Sequence, residues 1–301
     1  FGIEPADDPS LPVWARTLPL PMGLSGADYL VPVSQTYAQE ILTPDFGCGL
    51  ETFLSQRKDQ IIGILNGIDP LIWNPETDEL IASDYNTEDI SGKARCKAAL
   101  QAEVGLQETN RIPLLVLISR MDQQKGVDLA IDALRSIGNL QWQAVILGSG
   151  DPRLEKAALD LQNAFPNKVK VKILFDSAFS HRMYAGADIL MMPSRYEPCG
   201  LSQLISMKYG TIPVARATGG LKDTIKDTSK RGIGTGFLFS EANAAETARA
   251  LKRAINTFST PIEWQAVVKL AMSQDYSWAN SAREYCSLYQ QALQTEHFGE
   301  N

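Results

Sequence analysis

The 301-residue chain has few of the residues that build metal sites or disulfide frameworks. Its four cysteines are widely separated, none forms a C-x-x-C pair, and its two histidines are far apart. These residues are Cys48, Cys96, Cys199 and Cys286, with His181 and His297. The sequence therefore argues against a zinc site, and we expect no metal and no cofactor. Isolated thiols in an acidic chain favour a protein of a reducing compartment over a disulfide-bonded secreted one.

Long apolar runs and excess positive charge are also missing. The longest apolar runs, 112–119 and 189–193, have eight and five residues, whereas a membrane-spanning helix needs about 20. With 28 Lys and Arg against 35 Asp and Glu, the formal net charge is −7. Such a chain has no electrostatic footprint for nucleic acid or an anionic membrane. The first residues also lack the charged and apolar regions of a secretory signal. Local cations and backbone N–H groups must therefore hold any anionic ligand.

What is present is globular composition, with 44% apolar and 21% charged residues. From residue 111 onward, short runs rich in β-branched residues alternate with segments of helical periodicity. The predicted strands are 112–119, 144–148, 169–175, 187–192, 211–215 and 236–239, and the predicted helices are 127–137, 153–164, 177–185, 201–209 and 244–258. Strands separated by helices form βαβ units, so we predict an α/β domain with a Rossmann-like, doubly wound parallel sheet.

The two ends of the chain have a different pattern. Residues 4–22 look irregular, 37–42 and 93–104 are predicted helices, and 61–65 is a predicted short strand. Two further helices are predicted at 264–272 and 278–293. The first part has too few strands to close a sheet of its own, so we expect it to be a piece of a larger domain.

Ligands of such sheets bind at the carboxyl ends of the strands, which directs attention to the loops that follow them. Arg120 and Lys125 occupy one loop, with a glycine opening the next helix, and could clamp a polyanion. An ordinary solvated loop is the alternative. Gly148 belongs to a second strand-to-helix turn, which needs no ligand to explain it.

Later loops contain further candidates. Glu197 lies in a loop stiffened by proline and glycine and could contact a ligand, or it could be a helix-start acid stabilised by the dipole. Cys199 in the same loop could be a small buried filler. The glycines of 218–220 would let backbone N–H groups approach an anion. Phe175 could stack on a purine, although buried core is the commoner role of phenylalanine. His181 is expected on a helix surface.

Several motifs together resemble one family. The chain contains S-R-Y-E-P-C-G-L at 194–201, K-Y-G-T at 208–211 and T-G-G-L at 218–221. It also contains N-G-I-D at 66–69, W-N-P at 73–75, A-F-S-H-R at 178–182 and D-Y-S-W at 275–278. Taken in their order along the chain, these motifs make the chain similar to bacterial glycogen synthases and plant starch synthases, which are glycosyltransferase family 5 enzymes with the GT-B fold. The resemblance covers about residues 31 to 293.

The resemblance implies roles for individual residues. Arg120 and Lys125 would bind the diphosphate of a nucleotide sugar, and Glu197 would hold the donor glucose, so these three are the candidate catalytic residues. The candidate substrate- and nucleotide-binding residues are Asn66, Gly148, Phe175, Cys199, Gly200, Leu201, Thr218, Gly219 and Gly220. Among them, the backbone N–H groups of 218–220 would bind the distal phosphate, and Asn66 would lie at an interdomain hinge. Phe175 stands where relatives often have tyrosine near adenine.

The resemblance also implies a reaction and a domain plan. The reaction is retaining transfer of glucose from ADP-glucose to the non-reducing end of an α-1,4-glucan, in the bacterial cytoplasm or a plastid. The plan has residues 1–65 as the remnant of an acceptor-side domain, 66–272 as the nucleotide-sugar domain, and 273–301 as a helix that crosses back. No K-x-G-G-L motif precedes residue 111, so we expect a truncated enzyme that is inactive alone. Two alternatives stay open: a non-catalytic nucleotide- or glucan-binding fragment, and a family 4-type transferase that uses UDP-glucose.

Overall fold

A computed structural model describes residues 4–229 and 232–297, with side chains through residue 294. The side chain of His297 therefore lies outside the described part. The chain divides into two compact units. One comprises the residues up to Gly67 together with those from Trp278 onward, and the other comprises Ile68–Ser277.

The second unit is built on a six-stranded sheet, counted over the described residues, with the strand order β3-β2-β1-β4-β5-β6. The strands are β1 (Leu114–Ile118), β2 (Gln143–Leu147), β3 (Val169–Lys172), β4 (Ile189–Met192), β5 (Ile212–Arg216) and β6 (Phe237–Phe239). Every pairing between them is parallel. The predicted parallel α/β sheet is confirmed. The direction of winding reverses between β1 and β4, and such a switch point is where ligands of open α/β sheets bind.

Helices surround this sheet and also occur in the first unit. In chain order they are α1 (Pro19–Gly26), α2 (Gln35–Glu40), α3 (Glu51–Gln56), α4 (Ser91–Glu103), α5 (Val127–Ser136), α6 (Pro152–Ala164), α7 (Ser177–Gly186), α8 (Ser202–Lys208), α9 (Gly219–Thr224), α10 (Ala244–Phe258), α11 (Pro261–Met272) and α12 (Trp278–His297). Helix α12 groups with the residues up to Gly67 in the first unit. No helix in the described residues has the length and apolar character to cross a membrane.

Local sequence explains where these elements begin and which faces they bury. All five residues of β2 are buried, as expected for a strand covered on both faces. Four helices begin at a side chain that accepts an N–H bond from their first turn: Ser34 for α2, Asp151 for α6, Asp176 for α7 and Asn243 for α10. Such caps satisfy backbone donors that have no partner within the helix.

A buried ammonium group ties α4 to the far ends of α7 and α8. Lys93 Nζ donates to the carbonyls of Ala185 at 3.1 Å and Tyr209 at 2.8 Å, and to the hydroxyl of Thr211 at 2.9 Å. The two carbonyls lie where α7 and α8 end, so the cation meets the negative ends of two helix dipoles. Burial nonetheless lowers the pKa of Lys93 to about 7. The N-terminal ends of α7 and α8, at Ser177 and Ser202, lie at the opposite ends of these helices.

Two predictions for the first unit were wrong. Residues 61–65 do not form a strand, since Ile61 makes only an isolated bridge with Leu30. Residues 4–22 are not wholly irregular, because a 3₁₀ turn covers Val13–Ala15 and α1 begins at Pro19. A proline at the first helical position fits this start, since its missing N–H would have had no partner there.

Candidate functional site

A cavity of about 370 Å³ opens at the carboxyl ends of β1, β2 and β3. Arg120 and Gly148 contribute to it from the loops after β1 and β2, and Phe175 from the segment after β3. Ser177 and Ser202, in the first turns of α7 and α8, complete its wall. Arg120 and Gly148, from two predicted loops, and Phe175, from the end of a predicted strand, therefore meet at one site, and two helix N-termini contribute their positive dipole ends to it.

Phe175 forms an open wall of this cavity. Strand β3 ends at Lys172, three residues earlier than the prediction required, and the Phe175 side chain is 91% exposed. The interpretation as buried core was wrong. An exposed aromatic ring on a cavity wall can stack on a planar ligand, so its predicted contact with a purine stays a prediction.

Lys125 and Glu197, expected to bind different parts of a ligand, form an ion pair with each other. The Lys125 ammonium lies 2.8 Å from Oε1 and 2.7 Å from Oε2 of Glu197. Ser194 also donates to Oε2 at 3.0 Å. The Glu197 side chain is 7% exposed and that of Lys125 is 20% exposed. Because α8 begins only at Ser202, Glu197 is not a helix-start acid, and its charge is held by Lys125.

The two loops that bear this pair are joined by several contacts. Gly126 has φ +65°, and a Cβ there would lie 2.1 Å from the carbonyl oxygen of Pro193, so only glycine fits. Arg195 Nη2 donates to Asp128 at 2.7 Å, and this hydrogen bonding lowers the pKa of the Asp128 carboxyl. The loop after β4 is thereby fastened to the first turn of α5.

The 218–220 segment packs directly against the Glu197 loop. Gly219 has φ +44°, and a Cβ there would lie 2.0 Å from the Glu197 carbonyl. Gly220 N–H donates to that same carbonyl at 3.1 Å, and Thr218 N–H donates to the carbonyl of Arg216 at 2.9 Å. Phosphate binding by these two amides stays a prediction, and it requires that these backbone bonds be exchanged for bonds to the ligand.

The remaining predicted residues lie in different surroundings. Cys199 is buried, and its carbonyl accepts from the Gln203 amide at 3.0 Å, as does the carbonyl of Gly200. Leu201 precedes α8 and is exposed. Asn66 belongs to the other unit, and its contact with glucose stays a prediction.

Arg120 supplies a cation at the rim of the cavity. Its side chain is 71% exposed, and Nη1 lies 3.3 Å from Asp122. A guanidinium this exposed can turn toward an anionic ligand at small cost, because exposed pairs of this kind contribute about 0–1 kcal/mol. The cavity thus combines an aromatic wall, an exposed cation and, in its flanking loops, a carboxylate paired to a second cation. Such a set suits a ligand with a planar ring, phosphates and hydroxyl groups.

Residues outside the predicted set also build the site. Trp73 and Tyr184 line the cavity, and burial raises the pKa of Tyr184 to about 12. His181 is not on a helix surface as predicted, because its ring is buried and its Nδ1 lies 2.7 Å from Oδ2 of Asp78. The sequence marked Trp73 only as part of a motif and predicted no ligand role for His181. It did not mark Asp78, since nothing local links residues 103 positions apart.

Comparison with known proteins places this geometry in a family. A family model described as glycosyl transferases group 1 matches residues 102–263, more than half of the chain. A model described as the starch synthase catalytic domain matches residues 8–56. A glycogen synthase from Thermodesulfovibrio yellowstonii is 45% identical over 267 residues, which cover 89% of this chain and 53% of that protein. The chain therefore spans about half the length of the curated relative it matches.

Solved structures agree with this placement. The catalytic domain of starch synthase IV from Arabidopsis thaliana, bound to ADP and acarbose, superposes with a TM-score of 0.86 at 37% identity, over 91% of this chain and 57% of that one. A glycosyltransferase from Rickettsia africae has a TM-score of 0.66 at 18% identity, over 88% of this chain and 64% of that one. At that identity the likeness shows only a common fold. The expected GT-B type of fold is confirmed.

Proposed function

The chain belongs to the group 1 glycosyl transferases, and from that membership we propose that it is a retaining glucan synthase. In this proposal glucose passes from ADP-glucose to the non-reducing end of an α-1,4-glucan of the glycogen or starch type. The similarity to a glycogen synthase and to a starch synthase that binds ADP and acarbose supports the choice of donor and acceptor.

The Lys125–Glu197 pair is the observation that carries the proposal. It places a cation and a carboxylate together: Lys125 lies in the loop that supplies Arg120 to the cavity, and Glu197 lies in the loop that leads to Ser202 of the cavity wall. A nucleotide sugar needs these two groups side by side, because its diphosphate and its hydroxyl-rich sugar are joined by the bond that breaks. Phe175 then provides a face for the base at the other end of the cavity.

Each residue has a defined task as the sugar–phosphate bond breaks. Negative charge grows on the departing diphosphate, and two cations stabilise it: Arg120 turns toward it from the cavity rim, and Lys125 acts from the position in which Glu197 holds it. Glu197 accepts hydrogen bonds from sugar hydroxyls and holds the ring while positive charge develops at its anomeric carbon. Attack of the acceptor hydroxyl from the face of the departing phosphate would retain the configuration, and the phosphate would take the proton.

Nucleotide binding and glucose transfer are tested separately, because the chain spans only about half of its relative's length. Calorimetric titration of the chain with ADP is expected to give a Kd between tens of micromolar and millimolar, or about −4 to −6 kcal/mol. UDP is the matched control and is expected to bind at least tenfold more weakly. Failure of ADP to bind, or a preference for UDP, would overturn the choice of nucleotide.

Transfer of radiolabelled glucose to glycogen then tests the donor and the expected inactivity of the chain. Incorporation from ADP-glucose above that from UDP-glucose supports the synthase and contradicts the expectation that the chain is inactive alone. Nucleotide binding without incorporation is the result expected of a truncated synthase and also of the non-catalytic alternative, whereas incorporation from UDP-glucose supports the family 4-type transferase.

We also propose that the protein works in a reducing compartment, either the bacterial cytoplasm or a plastid. The four cysteines, all within the described residues, are thiols, two of them buried and two exposed. Thiol titration of the unfolded chain, purified without reductant, should give four reactive groups, and two would contradict the proposal.

A further inference from the structure

A buried polar cluster lies behind one wall of the cavity. Asp78 belongs to the segment 68–90 that precedes α4, which we call the strap. Its Oδ2 is 2.7 Å from Nδ1 of His181 on α7 and accepts from the hydroxyl of Tyr209 at 2.5 Å. Its Oδ1 accepts from the backbone N–H of Leu80 at 2.9 Å. The side chains of Asp78 and His181 are 3% and 5% exposed, so water does not compete for these bonds.

Trp73, also in the strap, rests on this cluster. Its ring stacks on the imidazole of His181 with centroids 4.0 Å apart and planes at 17°. Tyr184 meets it edge-on, with centroids 5.8 Å apart at 90°. Because Trp73 also lines the cavity, one face of the indole is held by buried groups, while other atoms of the ring are available to a ligand.

The cluster is held in one arrangement by its hydrogen bonds. Burial, together with the hydrogen bond to Asp78, raises the pKa of Tyr209, so its hydroxyl stays protonated and donates to the carboxylate. With both oxygens of Asp78 engaged, the carboxylate is fixed, and it in turn fixes the plane of the His181 ring. A flat ring held in this way gives the indole a single stacking surface.

We propose that Trp73 is a binding residue for the nucleoside of the donor, and that His181 and Asp78 are positioning residues that hold its ring at the cavity wall. The proposal rests on the proposed function, because it takes the cavity to be the nucleotide site. It assigns the strap a role in ligand recognition that extends beyond covering α7 and α8. The contact it requires is that of the Trp73 indole against the planar base or against the ribose.

Two variants separate the indole from its support. Trp73→Leu removes the aromatic wall, and we expect ADP to bind at least tenfold more weakly in calorimetry. His181→Asn keeps an N–H donor for Asp78 but removes the ring on which Trp73 stacks, and we expect ADP to bind at least fivefold more weakly. Tyr85→Phe is the matched control, because it removes another buried strap hydrogen bond, from Tyr85 to the Tyr209 carbonyl at 2.8 Å, without touching the indole. It should change the Kd by less than twofold.

Tryptophan fluorescence gives a readout that general destabilisation would not move. Addition of ADP should change the emission of the parent chain, and Trp73→Phe should abolish that change. Trp278→Phe should retain it, because Trp278 is not among the described residues that line the cavity. If His181→Asn does not fold, the fluorescence of Trp73→Phe alone decides the proposal.

The outcomes distinguish failure of this proposal from failure of the proposed function on which it rests. If the parent chain binds ADP and the Trp73 and His181 variants bind it within twofold, the inference is overturned and the nucleotide site stands. The inference is likewise overturned if Trp73→Phe keeps the ADP-dependent change in emission. If the parent does not bind ADP at all, the nucleotide site itself is wrong and the inference falls with it.

Discussion

Breaking the ion pair between Lys125 and Glu197 should affect stability and nucleotide binding in different ways. Lys125→Met keeps the length of the side chain but leaves a carboxylate that is 7% exposed without its cation. Removing one partner of a buried pair costs about 3–5 kcal/mol. Because the Lys125 side chain is 20% exposed, water can reach part of the site, and we expect a loss of about 2–3 kcal/mol in urea unfolding. Lys156→Met, which breaks an exposed pair with Asp160 at 2.6 Å, is the matched control and should cost under about 1 kcal/mol.

Nucleotide binding should respond differently to substitution of the two members of the pair. Lys125→Met removes a cation from the diphosphate, and a charged hydrogen bond contributes about 1.5–3 kcal/mol, so ADP should bind more than tenfold more weakly. Glu197→Gln releases the ammonium from the carboxylate, so ADP should bind as tightly as before or more tightly. Calorimetric titration at fixed salt measures both. Equal weakening of ADP binding in the two variants would refute the assignment of Lys125 to the diphosphate and of Glu197 to the sugar. Unfolding of Lys125→Met indistinguishable from that of Lys156→Met would refute the energetic argument.

Three other perturbations test neighbouring features. Gly126→Ala would combine an unfavourable left-handed φ with a clash against the Pro193 carbonyl, so the chain should lose more than about 2 kcal/mol; an unchanged Tm would contradict this. Phe175→Ala should leave Tm unchanged, because the side chain is 91% exposed. It should nevertheless weaken the binding of ADP by about 1–3 kcal/mol, and an unaltered ADP affinity would rule out stacking. The pKa of Lys93 is about 7 in the folded chain, against 10.5 in the unfolded chain. Between pH 7 and pH 10.5 the unfolded chain therefore binds more protons, and the free energy of unfolding rises with pH. Urea unfolding should give about 2 kcal/mol more stability at pH 9 than at pH 7, and Lys93→Met should lack that increment; an equal pH dependence in the variant would remove Lys93 as its cause.

The architecture could be predicted because its signals are local. Two-sided burial leaves continuous apolar runs such as Leu114–Ile118, and one-sided burial leaves helical periodicity in Ala244–Phe258, whose predicted and observed bounds coincide. The parallel arrangement follows from the helices between the strands. The strand predicted at 61–65 failed because an apolar run forms a strand only when a partner strand pairs with it. This run makes one isolated bridge, at Ile61, and backbone hydrogen bonds from Ile62 and Ile64 to a segment that is not a strand.

Side-chain environments were predicted less well, since they depend on residues far away in the chain. The strand-end rule located Arg120, Lys125 and Glu197 in the right loops. It did not predict that Lys125 would meet Glu197 across 72 positions, a contact that arises only because β1 and β4 are neighbours in the sheet. Phe175 was assigned to the core from its residue type, and the early end of β3 left it exposed.

The sequence by itself determined the fold class, the strand-to-helix loops and the motifs that point to the family, because periodic burial and turn preferences depend on residues that are close together in the chain. Only the tertiary structure decided which charges neutralise one another and which rings face the cavity. His181 illustrates the reason: its environment is set by Asp78 and Trp73, which come from the strap and lie more than one hundred positions earlier in the chain. A side chain's hydrogen-bond partners are known only once the crossovers have brought distant segments to the same place.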